Sequence, residues 1–83
     1  MYIEKNPFVT LREYEGDLFL LNDNNAYYLE GITPFLWEVM EEETIESLSL
    51  KVTKEYDVSL KKAERDVKKV VEFLEKENLV TLA

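Results

Sequence analysis

The first third of the chain alternates short apolar runs with polar turns, a pattern typical of antiparallel strands. Residues 8–14, 18–21 and 26–30 are rich in aromatic and aliphatic side chains and are predicted to be strands. Gly16 in the first turn, and the Asn and Asp residues at 22–25 in the second, tolerate left-handed backbone conformations. Connections this short join only antiparallel neighbours, so the pattern predicts a three-stranded meander.

The remaining two thirds of the chain change to apolar spacings of three and four residues, which predict three helices. Thr33, followed by Pro34, is predicted to cap the first helix. Thr44 is predicted to cap the second and Ser59 the third, which runs to about Asn78. The apolar residues that close the chain are expected to fold back against the sheet: Leu79, Val80 and Leu82.

The predicted third helix has two distinct sides. Projected at about 100° per residue, one side is an apolar stripe made of Leu60, Ala63, Val67, Val70, Val71 and Leu74. The opposite side carries Lys62, Arg65, Lys69 and Lys76, with Phe73 in its middle next to Asp66. Three interpretations of this side stay open: a solvated surface with ion pairs such as Glu72–Lys76, a basic groove for a peptide, or a DNA-recognition helix.

Three strands followed by three helices make an α+β fold of the winged helix-turn-helix kind, in which the antiparallel sheet is the wing. The 83 residues are expected to form one domain, over 1–83. A core of this size leaves little material for the deep pocket that most enzymes need.

Composition narrows the possible functions further. The chain has no Cys and no His, which excludes thiol nucleophiles, disulfides, zinc sites built on those ligands, and imidazole acid–base chemistry. The net charge of −8 disfavours binding to nucleic-acid phosphates. Glu41, Glu42 and Glu43 are interpreted as a solvated linker, not as ligands of a hard cation. Without a membrane span or signal-peptide pattern, we expect a cytoplasmic, non-enzymatic protein that carries no cofactor.

The third predicted strand carries two adjacent tyrosines. Tyr27 and Tyr28 must project to opposite faces of the sheet, so one packs and the other is exposed or lines a groove. As the last strand of a meander, this strand also has one open edge. Free N–H and C=O groups along such an edge are a template on which an extended peptide can add as a further strand.

The order and spacing of these motifs resemble the PqqD family, whose fold is also called the RiPP recognition element; RiPP means a ribosomally synthesised, post-translationally modified peptide. The resemblance covers roughly residues 9–80. It rests on the apolar strand and Asn/Asp turn before Tyr27-Tyr28-Leu29, on Leu36-Trp37, on Thr44-Ile45 with Leu48, on Tyr56-Asp57-Val58, and on Ala63, Asp66-Val67, Phe73-Leu74 and Leu79. The chain departs from the usual family pattern at Glu30, Thr33 and Asn78, where the family often has Asn, Gly and Gly.

The resemblance implies a non-catalytic peptide-binding protein. In the family, the leader segment of a precursor peptide docks as an extra strand in the cleft between the third strand and the third helix. Basic residues in that cleft would suit a leader rich in Asp and Glu, and Phe73 with a tyrosine would hold an apolar side chain. Carried over to this chain, the implied peptide-binding residues are Ala26, Tyr27, Tyr28, Leu29, Glu30, Lys62, Arg65, Asp66, Lys69, Val70 and Phe73.

The resemblance also implies that the captured peptide is presented to a modifying enzyme. That enzyme is a radical S-adenosylmethionine (radical SAM) protein in pyrroloquinoline quinone biosynthesis, or a leader peptidase and cyclase in lasso-peptide systems. This chain has no iron–sulfur ligands, so any such cofactor belongs to the partner. The prediction is a stand-alone peptide chaperone that binds neither nucleic acid nor membrane. Two alternatives stay open: a small winged-helix DNA-binding regulator, and a structural subunit whose open strand edge is covered by a second copy.

Overall fold

The computed structural model describes residues 1–83 as five strands and three helices. In chain order the elements are β1 (Ile3–Lys5), β2 (Thr10–Tyr14), β3 (Asp17–Asn22), β4 (Asn25–Leu29), α1 (Thr33–Val39), α2 (Ile45–Tyr56), α3 (Leu60–Lys76) and β5 (Val80–Leu82). Strands β2, β3 and β4 form an antiparallel sheet in that order, and the three helices follow it. The predicted α+β fold is confirmed.

Tight turns set the register of the three-stranded sheet. Both of its hairpins turn on two residues, 15–16 and 23–24. Glu15, Gly16 and Asp23 have positive φ angles of 52°, 87° and 55°, and two-residue turns of this kind match the natural twist of antiparallel strands. The register determines which backbone groups of each strand face a neighbouring strand and which do not.

The strand boundaries differ slightly from the sequence prediction. β2 begins at Thr10 instead of Phe8, because the Phe8 N–H donates to the side-chain oxygen of Asn6 at 3.0 Å and the chain turns there. Phe8 is consequently almost fully exposed. β4 ends at Leu29, so that Glu30 follows the strand.

Two of the three predicted helix caps are confirmed. The Thr44 hydroxyl accepts a hydrogen bond from the Ser47 N–H at 3.0 Å, and the Ser47 hydroxyl accepts one from the Thr44 N–H at 2.8 Å. This reciprocal arrangement is a capping box, which satisfies two N–H groups at the start of α2. The Ser59 hydroxyl accepts from the Lys62 N–H at 3.2 Å and caps α3 by this single bond.

The prediction that Thr33 caps α1 is wrong. The Thr33 N–H donates to the Glu30 carbonyl at 3.1 Å, which brings the chain into a helical turn one residue early. Ile32 is therefore the residue at the N-cap, and no side chain caps the helix. Pro34 still falls in the first turn, where its missing N–H costs little, and the Thr33 side chain is available to line a surface.

The two ends of the chain form a second sheet that the sequence did not predict. β1 pairs antiparallel with β5, with Ile3 opposite Leu82. The closing residues Leu79, Val80 and Leu82 pack on the same core as Leu20 and Leu29 of the three-stranded sheet, and β5 in addition pairs with β1. Ile3 is fully buried, and its N–H donates to the Glu43 carbonyl at 2.8 Å, which ties β1 to the connection between α1 and α2.

The apolar stripe of α3 supplies much of the core. Four of its six predicted members are fully buried: Ala63, Val67, Val71 and Leu74. The assignment of Leu60 to the core is wrong, since this side chain is 45% exposed. Helical side chains lean back over the preceding turn, and Leu60, as the first residue of α3, has no such turn beneath it. Val70 is half-buried against the core.

α3 ends at Lys76, two residues before the predicted end. Asn78 takes a left-handed conformation with φ 62°, and the Leu79 N–H donates to the Leu74 carbonyl at 2.8 Å. Asn78 therefore serves as the helix stop that Gly usually provides. Each of the helices is too short or too polar to cross a bilayer.

Candidate functional site

β4 is the last strand of its sheet, and its outer edge has no partner strand. The two residues that flank a two-residue turn form a hydrogen-bonded pair. From there, hydrogen-bonded and non-hydrogen-bonded pairs alternate along an antiparallel ladder. In the observed register, the N–H and C=O groups of Tyr27 and Leu29 point toward β3. Those of Ala26 and Tyr28 point outward, so the free edge offers two complete donor–acceptor sets to an added strand.

An open cleft with a volume of about 290 Å³ lies between the end of β4 and α3. Six of the predicted site residues line it: Tyr28, Leu29, Glu30, Lys69, Val70 and Phe73. Val70 and Phe73 form its apolar wall on the helix, and Lys69 places a cation beside them. The free edge and one side of α3 thus face the same open space.

The seventh lining residue, Thr33, was not predicted as a site residue. It lies in the first turn of α1, and its N–H is bound to the Glu30 carbonyl at the exit of β4. Because Thr33 was interpreted as a helix cap, its hydroxyl was expected to bind its own helix, and the residue was not assigned to the cleft. The departure from the usual family Gly at this position was the only sequence signal that pointed to it.

The two adjacent tyrosines take different roles, as their alternation predicts. Tyr27 is half-buried on the core side, and its hydroxyl donates to Glu77 Oε1 at 3.0 Å. Burial, followed by the hydrogen bond to Glu77 and its negative charge, raises the pKa of Tyr27 above its ordinary value. Tyr28 projects to the opposite face, where it is 52% exposed and its ring centroid lies 5.5 Å from that of Phe19.

Tyr27 also fixes the position of Phe73. The two rings meet edge to face with their centroids 6.1 Å apart. Together with the hydrogen bond from Tyr27 to Glu77, this contact joins β4 to the last turn of α3 and sets the width of the cleft. Glu77 was not predicted to have this role, because its position depends on how α3 lies against the sheet. Phe73 itself remains 48% exposed.

The basic side of α3 contains one ion pair. Lys62 Nζ lies 2.9 Å from Asp66 Oδ2, one helical turn along the same side. The hydrogen bond from Lys62 lowers the pKa of Asp66, burial opposes it, and the charges of Lys62, Arg65 and Lys69 lower it further. The predicted pair between Glu72 and Lys76 is not formed.

Arg65 and Lys69 are the predicted site cations that stay without an acidic partner. Lys69 lines the cleft, whereas Lys62, Arg65 and Asp66 lie one to two turns before it on α3 and Ala26 lies toward the start of β4. Six of the eleven predicted residues therefore line the cleft, and five lie outside its lining: Ala26, Tyr27, Lys62, Arg65 and Asp66.

We expect the Lys62–Asp66 pair to give a pH-dependent contribution to stability. Because the folded-state pKa of Asp66 is depressed, the contribution is present above the ordinary carboxyl pKa of 3.8 and is lost as the pH falls through the lower folded value. Both side chains are partly exposed, so it amounts to at most about 1 kcal/mol. Urea unfolding of the parent and of Asp66→Asn should show a gap at pH 7 that narrows toward pH 2. A gap independent of pH would mean that the pair does not form in solution.

Comparisons with known proteins connect this geometry to a family. The family model described as coenzyme PQQ synthesis protein D (PqqD) matches residues 15–80. Among solved structures, lasso peptide synthetase B1 complexed with the leader peptide has the same fold, with a TM-score of 0.82. The two chains are 16% identical, and the alignment covers 99% of this chain and 100% of the other. No curated protein matches the sequence.

Proposed function

The chain belongs to the PqqD family, and from this membership we propose that it captures the leader segment of a ribosomally synthesised precursor peptide by β-strand addition. The observation that carries the proposal is the open edge of β4, which lies beside a cleft walled by α3. Strand addition needs both parts: free backbone groups to give affinity and a side-chain pocket to give specificity. The proposed role is binding, without catalysis.

In this proposal the leader pairs with the outward N–H and C=O groups of Ala26 and Tyr28. Alternate side chains of the added strand then turn toward α3. One apolar side chain of the leader would pack on Phe73 and Val70, which already form an apolar wall. Leu29, buried beneath the cleft, supports that wall from the sheet.

Charge gives the proposed site a preference for acidic leaders. Arg65 and Lys69 have no acidic partner in the protein, so a carboxylate of the leader would not have to displace one. Lys62 is held by Asp66 and contributes less. Cations beside the edge also speed the approach of an oppositely charged peptide.

The captured peptide would then be presented to a modifying enzyme. We propose a radical SAM enzyme or the leader peptidase and cyclase of a lasso-peptide system as that partner. A leader bound along β4 keeps its other end free, so the segment to be modified can enter a neighbouring active site. The DNA-binding alternative gains no support, because acidic residues interrupt the basic side of α3 and the net charge is −8.

The proposal is tested by an NMR titration of labelled protein with the leader region of a precursor peptide encoded beside its gene. We expect saturable shifts of the β4 amides and of the residues on the cleft side of α3. Shifts that stay absent for every neighbouring leader, with a salt-dependent response to duplex DNA instead, would refute the proposal and favour the regulator.

Charge reversal tests the preference for an acidic leader. The double variant Arg65→Glu/Lys69→Glu should weaken binding by about 1–2 kcal/mol, or roughly five- to thirtyfold, at low salt, and by less at high salt. The matched control is Arg12→Glu/Lys54→Glu, which makes the same charge change on β2 and α2, outside the cleft. Equal losses in the two variants would mean that only net charge matters, and that Arg65 and Lys69 do not face the leader.

A further inference from the structure

The three-stranded sheet has a second open edge, on β2. β2 is the first strand in the order β2-β3-β4, and all five of its residues are exposed. Among the elements of the fold, it makes substantial contacts with β3 alone. No strand, helix or connection covers this edge, whereas β1 and β5 at the chain ends cover each other.

The register identifies the free backbone groups of β2. The hairpin pairs Tyr14 with Asp17 across a two-residue turn, so this is the hydrogen-bonded pair from which the ladder alternates. Thr10, Arg12 and Tyr14 therefore point their backbone groups toward β3. Leu11 and Glu13 point theirs outward, and the Leu11 side chain is 47% exposed beside them.

The charges around the two open edges differ. Near β2, Glu13, Glu15 and Asp17 form an acidic margin against a single cation, Arg12. Near β4, the cleft holds Glu30 beside Lys69, and α3 adds the unpaired Arg65 one turn before it. The margin of β2 is thus the more acidic of the two and favours a basic strand.

Natural proteins usually protect such an edge. Common devices are proline, charged side chains, a very short strand, a bulge or a covering element. β2 has no proline, pairs regularly with β3 along its five residues, and carries exposed apolar side chains at Leu11 and at Tyr14, which is 66% exposed. Its two charges, on Arg12 and Glu13, restrict which chains can pair with it. The edge is therefore competent to pair with another chain.

We propose that the β2 edge is a second strand-addition site, and that it takes an extended basic segment of a partner protein. The acidic margin argues for a basic occupant, with a cation of the partner opposite Glu13 and an apolar side chain opposite Leu11. A second copy of this chain fits less well, because it also carries a net charge of −8. The site stands on its own geometry and does not depend on leader capture at β4.

Occupation of both edges would extend the function proposed above. Neighbouring strands lie about 4.8 Å apart, so a partner strand on β2 and a leader on β4 would be the outer strands of one five-stranded sheet, about 19 Å apart. A partner enzyme that docked by such a strand would be held beside the captured leader without competing for its edge. The two sites are consistent with simultaneous binding.

The test uses two designed peptides of about ten residues that differ only in charge and repeat threonine-valine-threonine-lysine or threonine-valine-threonine-glutamate, so that valine and the charged residue alternate on one face of the strand. We expect the lysine peptide to shift the Leu11 and Glu13 amides in a saturable NMR titration. Leu11→Pro should weaken it about tenfold, because the outward N–H is lost, whereas Leu11→Ala keeps that N–H and should lose less. Glu13→Lys should weaken it about fivefold at low salt.

The outcomes separate the two proposals. Binding of the lysine peptide to the β4 edge only, equal shifts by both peptides at β2, or no effect of Leu11→Pro and Glu13→Lys would overturn the second site. A protein mass that rises with concentration, together with shifts at β2 in the absence of peptide, would assign the edge to a second copy and would also overturn it. If the glutamate peptide does not shift the amide signals of Ala26 and Tyr28, this result counts against the leader site and leaves the β2 site unaffected.

Discussion

Replacing Tyr28 with proline should weaken leader binding while leaving the fold in place. The Tyr28 N–H points away from β3, so its loss breaks no bond of the native sheet. Proline is tolerated on edge strands where the missing N–H would face solvent. In the complex, the same change leaves a carbonyl of the added peptide without its donor. We expect a loss of about 1–3 kcal/mol, or roughly five- to 150-fold in Kd, by isothermal titration calorimetry with the leader peptide.

Two matched variants separate the backbone effect from the side chain and from the fold. Tyr28→Val also removes the aromatic ring and its contact with Phe19 but keeps the N–H, so it should bind much better than Tyr28→Pro. Tyr27→Pro removes an N–H that points to β3, where Tyr27 is paired with Leu20. It should lower the free energy of unfolding by about 1–3 kcal/mol through the lost ladder hydrogen bond, and further through the lost contacts with Glu77 and Phe73. Tyr28→Val binding as poorly as Tyr28→Pro would mean that the ring, and not the strand edge, holds the peptide.

The parts of the fold that the sequence predicted are those with local signals. Alternation with Gly and Asn/Asp turns identified β2, β3 and β4, and apolar spacing with Thr44 and Ser59 identified α2 and α3. The pairing of β1 with β5 was missed because it joins three-residue strands at opposite ends of the chain. Strands this short have no periodicity of their own, and only tertiary contact selects them.

The candidate site shows the same division between local and tertiary information. Phe73 was predicted because a helical projection leaves it outside the apolar stripe, and it does line the cleft. The contact of Glu77 with Tyr27 depends on where α3 meets the sheet, so no pattern along the chain contains it. The sequence also could not decide which lysines are paired, because Lys62 has acidic neighbours at several spacings and selects Asp66 only in the folded helix.

Truncation of Phe73 should give the other large loss of leader affinity. Phe73 is 48% exposed although it contacts Tyr27, so much of its apolar surface is available to a ligand. Aromatic residues at the centre of an interface often cost about 2 kcal/mol when cut back to Ala, which is roughly thirtyfold in Kd. The lost ring contact with Tyr27 should lower the free energy of unfolding by only about 1 kcal/mol. Binding should therefore fall far more than stability, as measured by calorimetry and urea unfolding.

The decisive comparison for Phe73→Ala is Leu60→Ala on the same helix. Leu60 is 45% exposed, close to the value for Phe73, but it does not line the cleft. Leu60→Ala removes exposed apolar surface from α3 without touching the proposed site, so its Kd for the leader should equal that of the parent. Phe73→Leu keeps an apolar side chain in the cleft and should recover part of the affinity. If Leu60→Ala weakens binding as much as Phe73→Ala does, the leader lies elsewhere on α3, since affinity then follows the exposed apolar area of the helix and not the wall of the cleft.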